Sequence, residues 1–154
     1  MRYSAALMAA GSVSESESMT LEPALSAAAR RVLREAACAI VPEAARLDEK
    51  GWAEFERLIE SALRDRPESL RRRLRLFLRA IEWLPVLRYG RRFSALEPLR
   101  QASFLSWLET NPVLLIRNGF WGLRTLIFLG YYGQPEITRA IGYAADARGW
   151  EARR

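Results

Sequence analysis

The stretch from Asn111 to Tyr143, NPVLLIRNGFWGLRTLIFLGYYGQPEITRAIGY, constrains this chain most. From Pro112 to Leu129 it is mostly apolar and carries only two charges, Arg117 and Arg124. That pattern predicts a single helix of roughly 27 Å at the α-helical rise. Each charge near its middle would cost about 3 kcal/mol at the centre of a bilayer, so the segment reads as the central helix of a protein core and not as a membrane span. Ile116, Phe120, Leu123, Ile127 and Tyr131 share one face of it. Gly119 and Gly122 lie between them, and each interior glycine costs a helix about 1 kcal/mol unless another backbone comes close, which predicts a tight helix crossing at both. Asn111 and Pro112 stand in the order of a cap and a first-turn proline. At the far end Gly133 occupies the place of a left-handed terminator, followed by a short helix from Pro135 to Ala140 that Gly142 and Tyr143 close.

Nothing in that stretch performs acid–base, nucleophilic or metal chemistry, and the composition extends the point. The 154 residues contain no histidine, which removes the commonest general base and the commonest metal ligand together. The single Cys38 excludes an internal disulfide and an all-cysteine metal site. There is no glycine-rich phosphate loop. The carboxylates Glu82, Glu97, Glu109 and Glu136 stand at helix ends or beside arginines, where ion pairing explains them. An enzyme is therefore the least supported class. With half its residues apolar, the chain is long enough for one packed domain.

Upstream, residues 1–20 turn from a short apolar run into a Ser/Glu run and are expected to be a disordered tail, with Met19 a natural alternative start. A first helix is expected from Leu21 to Val41, with Pro23 in its first turn and Pro42 as its stop. Arg30-Arg31 is not followed by an uncharged apolar region, because Arg34 and Glu35 come next, so it does not read as a twin-arginine export signal. Gly51 to Asp65 is a second helix with Trp52, Phe55, Leu58, Ile59 and Ala62 on one face. A third opens with Pro67 at its first position, runs an apolar stripe of Leu70, Leu74, Phe77, Leu78, Ile81 and Leu84, and is expected to stop at Pro85. Pro85 to Pro98 then reads as a connector holding one short helical turn and an extended arm, and Ser94 to Glu97 as a capping box that Pro98 spoils. A fourth helix starts at Pro98, with Leu99, Ala102, Leu105 and Leu108 facing inward, and ends at Thr110.

Charge is concentrated in one place. Residues 64–100 hold eleven arginines and four carboxylates, a local +7, while the net charge of the whole chain is +6. With Trp83, Tyr89 and Phe93 nearby, this arginine-rich patch supports an alternative reading as a helical nucleic-acid-binding module, although no helix-turn-helix pattern accompanies it. A solvated arginine face, or one that meets an acidic protein or anionic lipid, is the competing explanation.

Three segments together carry a family likeness: AACAIVPEA (Ala36 to Ala44), FLRAIEWLPVLRYGRRFSALEP (Phe77 to Pro98) and LRTLIFLGYYGQPEITRAIGY (Leu123 to Tyr143). Their order resembles the small, third-subunit family of gluconate 2-dehydrogenase-type flavin dehydrogenases. The likeness spans most of residues 30–143, and its most specific part is the GYYG-x-P-E block with the terminal Gly-Tyr. The resemblance implies a non-catalytic accessory subunit that binds no cofactor itself. Its partner would be a large FAD-dependent flavoprotein of the glucose–methanol–choline class that oxidises an alcohol or sugar hydroxyl, joined in several systems by a cytochrome c subunit. The small subunit would support folding, stability or export of the large one. Relatives often carry a twin-arginine signal, and its absence here implies a location in the cytoplasm or peripheral to a membrane, periplasmic only through co-export with the partner.

The fold class expected from all this is all-α: a compact single-domain bundle of about five to six helices over residues 21–145, with 146–154 a C-terminal tail. Candidate partner contacts upstream and within the central helix are Tyr89, Arg92, Phe93, Trp121 and Arg124. Those in the family-like block are Tyr131, Tyr132, Gln134, Pro135, Glu136 and Tyr143. Large amphipathic rings and arginine are the residue types enriched where protein meets protein.

Overall fold

The computed structural model describes residues 24–140 and Gly142, and the two predicted tails, Leu21 to Pro23 and Tyr143 lie outside that range. Six α-helices account for most of it: α1 (Ala27–Ile40), α2 (Glu49–Arg64), α3 (Glu68–Tyr89), α4 (Pro98–Glu109), α5 (Leu114–Tyr132) and α6 (Pro135–Ala140). Single 3-10 turns at Pro42–Arg46 and Phe93–Ala95 join α1 to α2 and α3 to α4. Among the described residues there is no strand, and the all-α fold is as expected.

α5 is the hub, in contact with α1, α2, α3, α4 and α6. Its inward face is Phe120, Leu123, Ile127, Gly130 and Tyr131, with Ile116 only partly covered. α1 lies against α3 and α4 and presents Val32, Leu33, Ala36 and Ala37 to them. Two adjacent buried alanines leave little side chain between the axes, which lets α1 come close. Local signals start the first two helices: the Ser26 side chain accepts from the Ala29 N–H, and Asp48 from the Gly51 N–H at 2.8 Å. Arg34 on α1 then clamps Glu56 on α2 at 2.7 Å, with its guanidinium over Trp52.

The glycines of α5 divide in an unforeseen way. A Cβ on Gly119 would come within 2.8 Å of the Phe77 ring of α3, so that crossing is tight. Gly122 has nothing within 4 Å and faces outward, contrary to expectation. The closest approach is at Gly130, where a Cβ would meet Phe55 at 2.7 Å and Ile59 at 3.0 Å, both fully buried residues of α2. Gly133 is not left-handed: its φ is −74°, and α5 ends at Tyr132. The carbonyl of Gly130, which a left-handed terminator would satisfy by backbone, instead accepts the buried Gln134 side-chain amide at 2.9 Å.

Four further expectations are corrected. Pro85 does not stop α3: the helix continues to Tyr89 and ends at Gly90, whose φ is +67°. Its missing N–H costs a helical hydrogen bond, but the fully buried Pro85 ring and the partly buried Tyr89 continue the core-facing stripe past Ile81. Pro67 caps α3 from outside and is not its first residue. Ser94, as expected, caps no helix, and α4 starts at Pro98; the Ser94 N–H and hydroxyl both donate to Glu82 on α3, at 3.1 and 2.7 Å. α4 is turned so that Gln101, Phe104, Leu105 and Leu108 face inward, while Leu99 is 82% exposed and Ala102 lies outside. The Gln101 amide donates to the Phe93 carbonyl at 3.1 Å, a bond that an apolar residue could not supply. Finally, Asn111 does not cap α5: its buried side chain accepts from the Val113 N–H, and the helix starts after that turn, at Leu114.

The glycine contacts yield a paired test. Gly130→Ala should cost about 1–3 kcal/mol, because neither Phe55 nor the backbone of α5 has room to retreat. Gly122→Ala should stabilise by up to about 1 kcal/mol through helix propensity alone. Urea unfolding followed by circular dichroism reads both, and equal effects would refute the assignment.

Candidate functional site

Most of the polar groups that could do chemistry are engaged elsewhere. Glu82 receives the two Ser94 hydrogen bonds, Glu109 pairs with Arg124 at 2.7 Å, and Glu136 pairs with Lys50 at 3.6 Å. Glu97 stands at the start of α4, where its backbone carbonyl accepts from the Arg100 and Gln101 N–H groups, and its carboxylate has no ion-pair partner among the described residues. No group of three histidine, cysteine or acidic residues among the described residues is placed to hold a metal. Cys38 is half-buried, and burial first, then the nearby Glu35 charge, push its thiol pKa up. A raised pKa keeps the sulfur protonated at neutral pH, the opposite of an activated nucleophile.

What the surface does offer is exposed apolar area, and it is not scattered. Leu114, Trp121, Leu129 and Tyr132 are exposed as a band on one outer face of α5, with Trp121 49% exposed, and Val113 and the 78% exposed Leu115 stand beside its start. Leu114, Asn118, Trp121, Thr125, Leu129 and Tyr132 follow one another at intervals of three and four residues, the spacing of one helix face. Arg124 sits at the rim, its guanidinium 5.2 Å from the Trp121 and Phe128 ring centres and bound to Glu109 of α4. Trp107 on α4 adds a half-exposed ring stacked on Phe104.

A second surface lies between α1 and α3. Its groove, about 570 Å³, has Ala28, Ala29, Val32, Leu76 and Leu78 in its lining and Arg31, Arg72, Arg75, Arg79 and Arg92 around them. Arg75 is bound to Glu68, whereas Arg31, Arg72, Arg79 and Arg92 have no carboxylate within 4 Å among the described residues. Trp83 stands at the groove edge, 48% exposed, with the Arg92 guanidinium 4.3 Å from its ring centre.

The residues expected to make contacts separate into three groups. Trp121, Arg124 and Tyr132 belong to the α5 band, and Pro135 and Glu136 are exposed at the start of α6 just beyond it. Arg92 belongs to the groove, at some remove in the chain from the others. Phe93, Tyr131 and Gln134 are buried and serve the core, and Tyr89 is partly buried against it. Sequence reasoning did not single out Leu114, Leu115 and Leu129 on α5 or Leu76 and Leu87 on α3, all exposed. Their helical spacing was legible, but one apolar residue looks like another until the inward face is known. No protein-family model, curated protein or solved structure matches this chain. The surfaces themselves therefore carry the functional argument.

The thiol gives a chemical check on the site. Cys38 in the native protein should react with a disulfide reagent more slowly than in the urea-unfolded chain, and its rate should rise at a higher pH than for an ordinary cysteine. The sign also applies to stability. The unfolded chain loses this proton first, so the contribution is intact below the unfolded thiol's range and is lost as pH rises through the folded value. A native thiol already fast at neutral pH would contradict the burial.

Proposed function

We propose that this chain is a non-catalytic helical subunit that binds and stabilises a large FAD-dependent dehydrogenase of the glucose–methanol–choline class. The observation that carries the reading is the apolar band on α5, where Leu114, Trp121, Leu129 and Tyr132 remain in water although α5 is the hub of the fold. Isolated exposed apolar residues are ordinary, but several on one helix face, with only Asn118 and Thr125 between them and Arg124 at the rim, have the composition of a docking surface. The identity of the partner rests on the likeness of Leu123 to Tyr143 to the small-subunit family, and the band overlaps that same segment from Leu129 to Tyr132. The chain's part would be to cover apolar surface on the large subunit, with the flavin and the substrate held there.

No helix among the described residues is long and apolar enough to cross a membrane.

Co-expression with a large flavoprotein of that class tests the proposal. The expected result is a purified complex with a flavin absorbance spectrum, in which the large subunit survives heating longer than when produced alone. Trp121→Ala combined with Leu115→Ser should weaken the complex by about tenfold or more, since truncated aromatic anchors commonly cost over 1 kcal/mol. The thermal midpoint of the isolated small chain should fall far less than complex affinity, because Leu115 is mostly in water and Trp121 is half exposed. A stable monomer that leaves the flavoprotein's heat resistance unchanged would sink it.

A further inference from the structure

The outer face of α3 carries a second apolar row that neither the core nor the α5 band uses. Leu76, Ala80, Trp83 and Leu87 succeed one another at intervals of four, three and four residues. That is the a/d spacing by which one helix accepts another along a knobs-into-holes seam. Leu87 is 88% exposed, Leu76 and Trp83 are about half exposed, and Ala80 is a small residue of the kind that lets a neighbouring helix approach. On the opposite side of α3, Leu78, Ile81 and Pro85 are fully buried, so the exposed row is not a misplaced core face.

Charge specifies what fits there. In the register that places Leu76 and Trp83 at d and Ala80 and Leu87 at a, Arg72 and Arg79 fall at the flanking g positions. Both are exposed and have no carboxylate within 4 Å among the described residues, and Arg31 and Arg92 line the same groove. One acid, Glu82, also lines the groove, its carboxylate accepting from the Ser94 N–H and hydroxyl, against five arginines around it.

We propose that the α1–α3 groove and the Leu76–Leu87 row together are a docking site for an amphipathic α-helix of a partner protein, apolar along one stripe and acidic beside it. The row supplies the seam and the arginines select the carboxylates. A second copy of this chain is the wrong occupant, because pairing the same face would set arginines against arginines. A nucleic-acid strand would use the arginines and Trp83 but gain nothing from Leu76 and Leu87. The site does not depend on the proposed flavoprotein docking at α5, since no residue is shared between the two surfaces.

Fluorescence anisotropy on the full chain tests it, with three labelled probes: a monomeric designed helix carrying a leucine stripe flanked by glutamates, the same residues scrambled, and an oligothymidylate. The designed helix should bind saturably, and the scrambled peptide about tenfold more weakly or not at all. Arg79→Glu and Leu87→Ser should each weaken the designed helix by about tenfold, and Leu87 is so exposed that its replacement leaves folding intact. Trp121→Ala on α5 should leave this binding unchanged, so failure here and failure of the α5 reading are separately visible. Equal binding of the scrambled peptide would mean charge alone acts, and would overturn the proposal. Binding of the oligothymidylate alone, falling steeply with salt, would assign the face to nucleic acid instead. No binding of any probe would also overturn it.

Discussion

Phe55 and Ile59 of α2 reach the backbone of α5 at Gly130, at distances that leave no space for a methyl group. Once that crossing is made, one side of α5 is committed inward, because Phe120, Leu123 and Ile127 lie on the same face as Gly130 within the reach of a straight helix. α1, α3 and α4 pack around the committed face, and α6 is turned back by the Gln134 amide that terminates the ladder. Trp52 meets Phe55 edge-on at 5.2 Å and anchors the ring from behind. Interiors close-packed to this degree respond to single methyl groups, so a glycine four turns into a helix can govern the position of five others.

Among the described residues the three buried polar side chains, Gln101, Asn111 and Gln134, each have a hydrogen-bond partner on the backbone, and the buried atoms left without one, Glu60 Oε1, Arg71 Nε and Arg124 Nε, belong to partly exposed residues. Apolar side chains also remain outside. They gather on the outer sides of α5 and α3, each in a row with helical spacing, and each row has arginine beside it. Two such faces on one small domain suit a protein whose work is contact.

The sequence was readable where one local force dominates. The hydrophobic period of α2 needs no neighbour to interpret it, whereas the caps Ser26 and Asp48 went unread, and the helix starts expected at Leu21 and Gly51 fall instead at Ala27 and Glu49. It was misread where two local rules competed. At Pro85 the missing N–H argued for a stop, while the apolar period ran on, and burial of the ring decided for the period. Along α4 both Leu99–Ala102 and Gln101–Phe104 form acceptable stripes. The choice fell to a polar residue, because Phe93 offers Gln101 a carbonyl in the interior. Of the candidate contact residues chosen by ring type, Trp121 and Tyr132 are exposed, whereas Phe93 and Tyr131 are core.

By itself, then, the chain's sequence determined that helices form, about where they lie, and that the segment after Asn111 would be the most apolar of them. Propensity, capping and period are properties of neighbours in the chain and need no tertiary partner. Only the tertiary structure decided which side of each helix faces in. That choice rests on contacts between residues far apart in sequence, such as Phe55 with Gly130, Phe77 with Gly119 and Glu82 with Ser94. With the inward faces taken, the leftover apolar rows of α5 and α3 became surfaces. A leucine at 115 or 87 has the same composition as one at 123 or 78, and differs only in what the fold has placed against it.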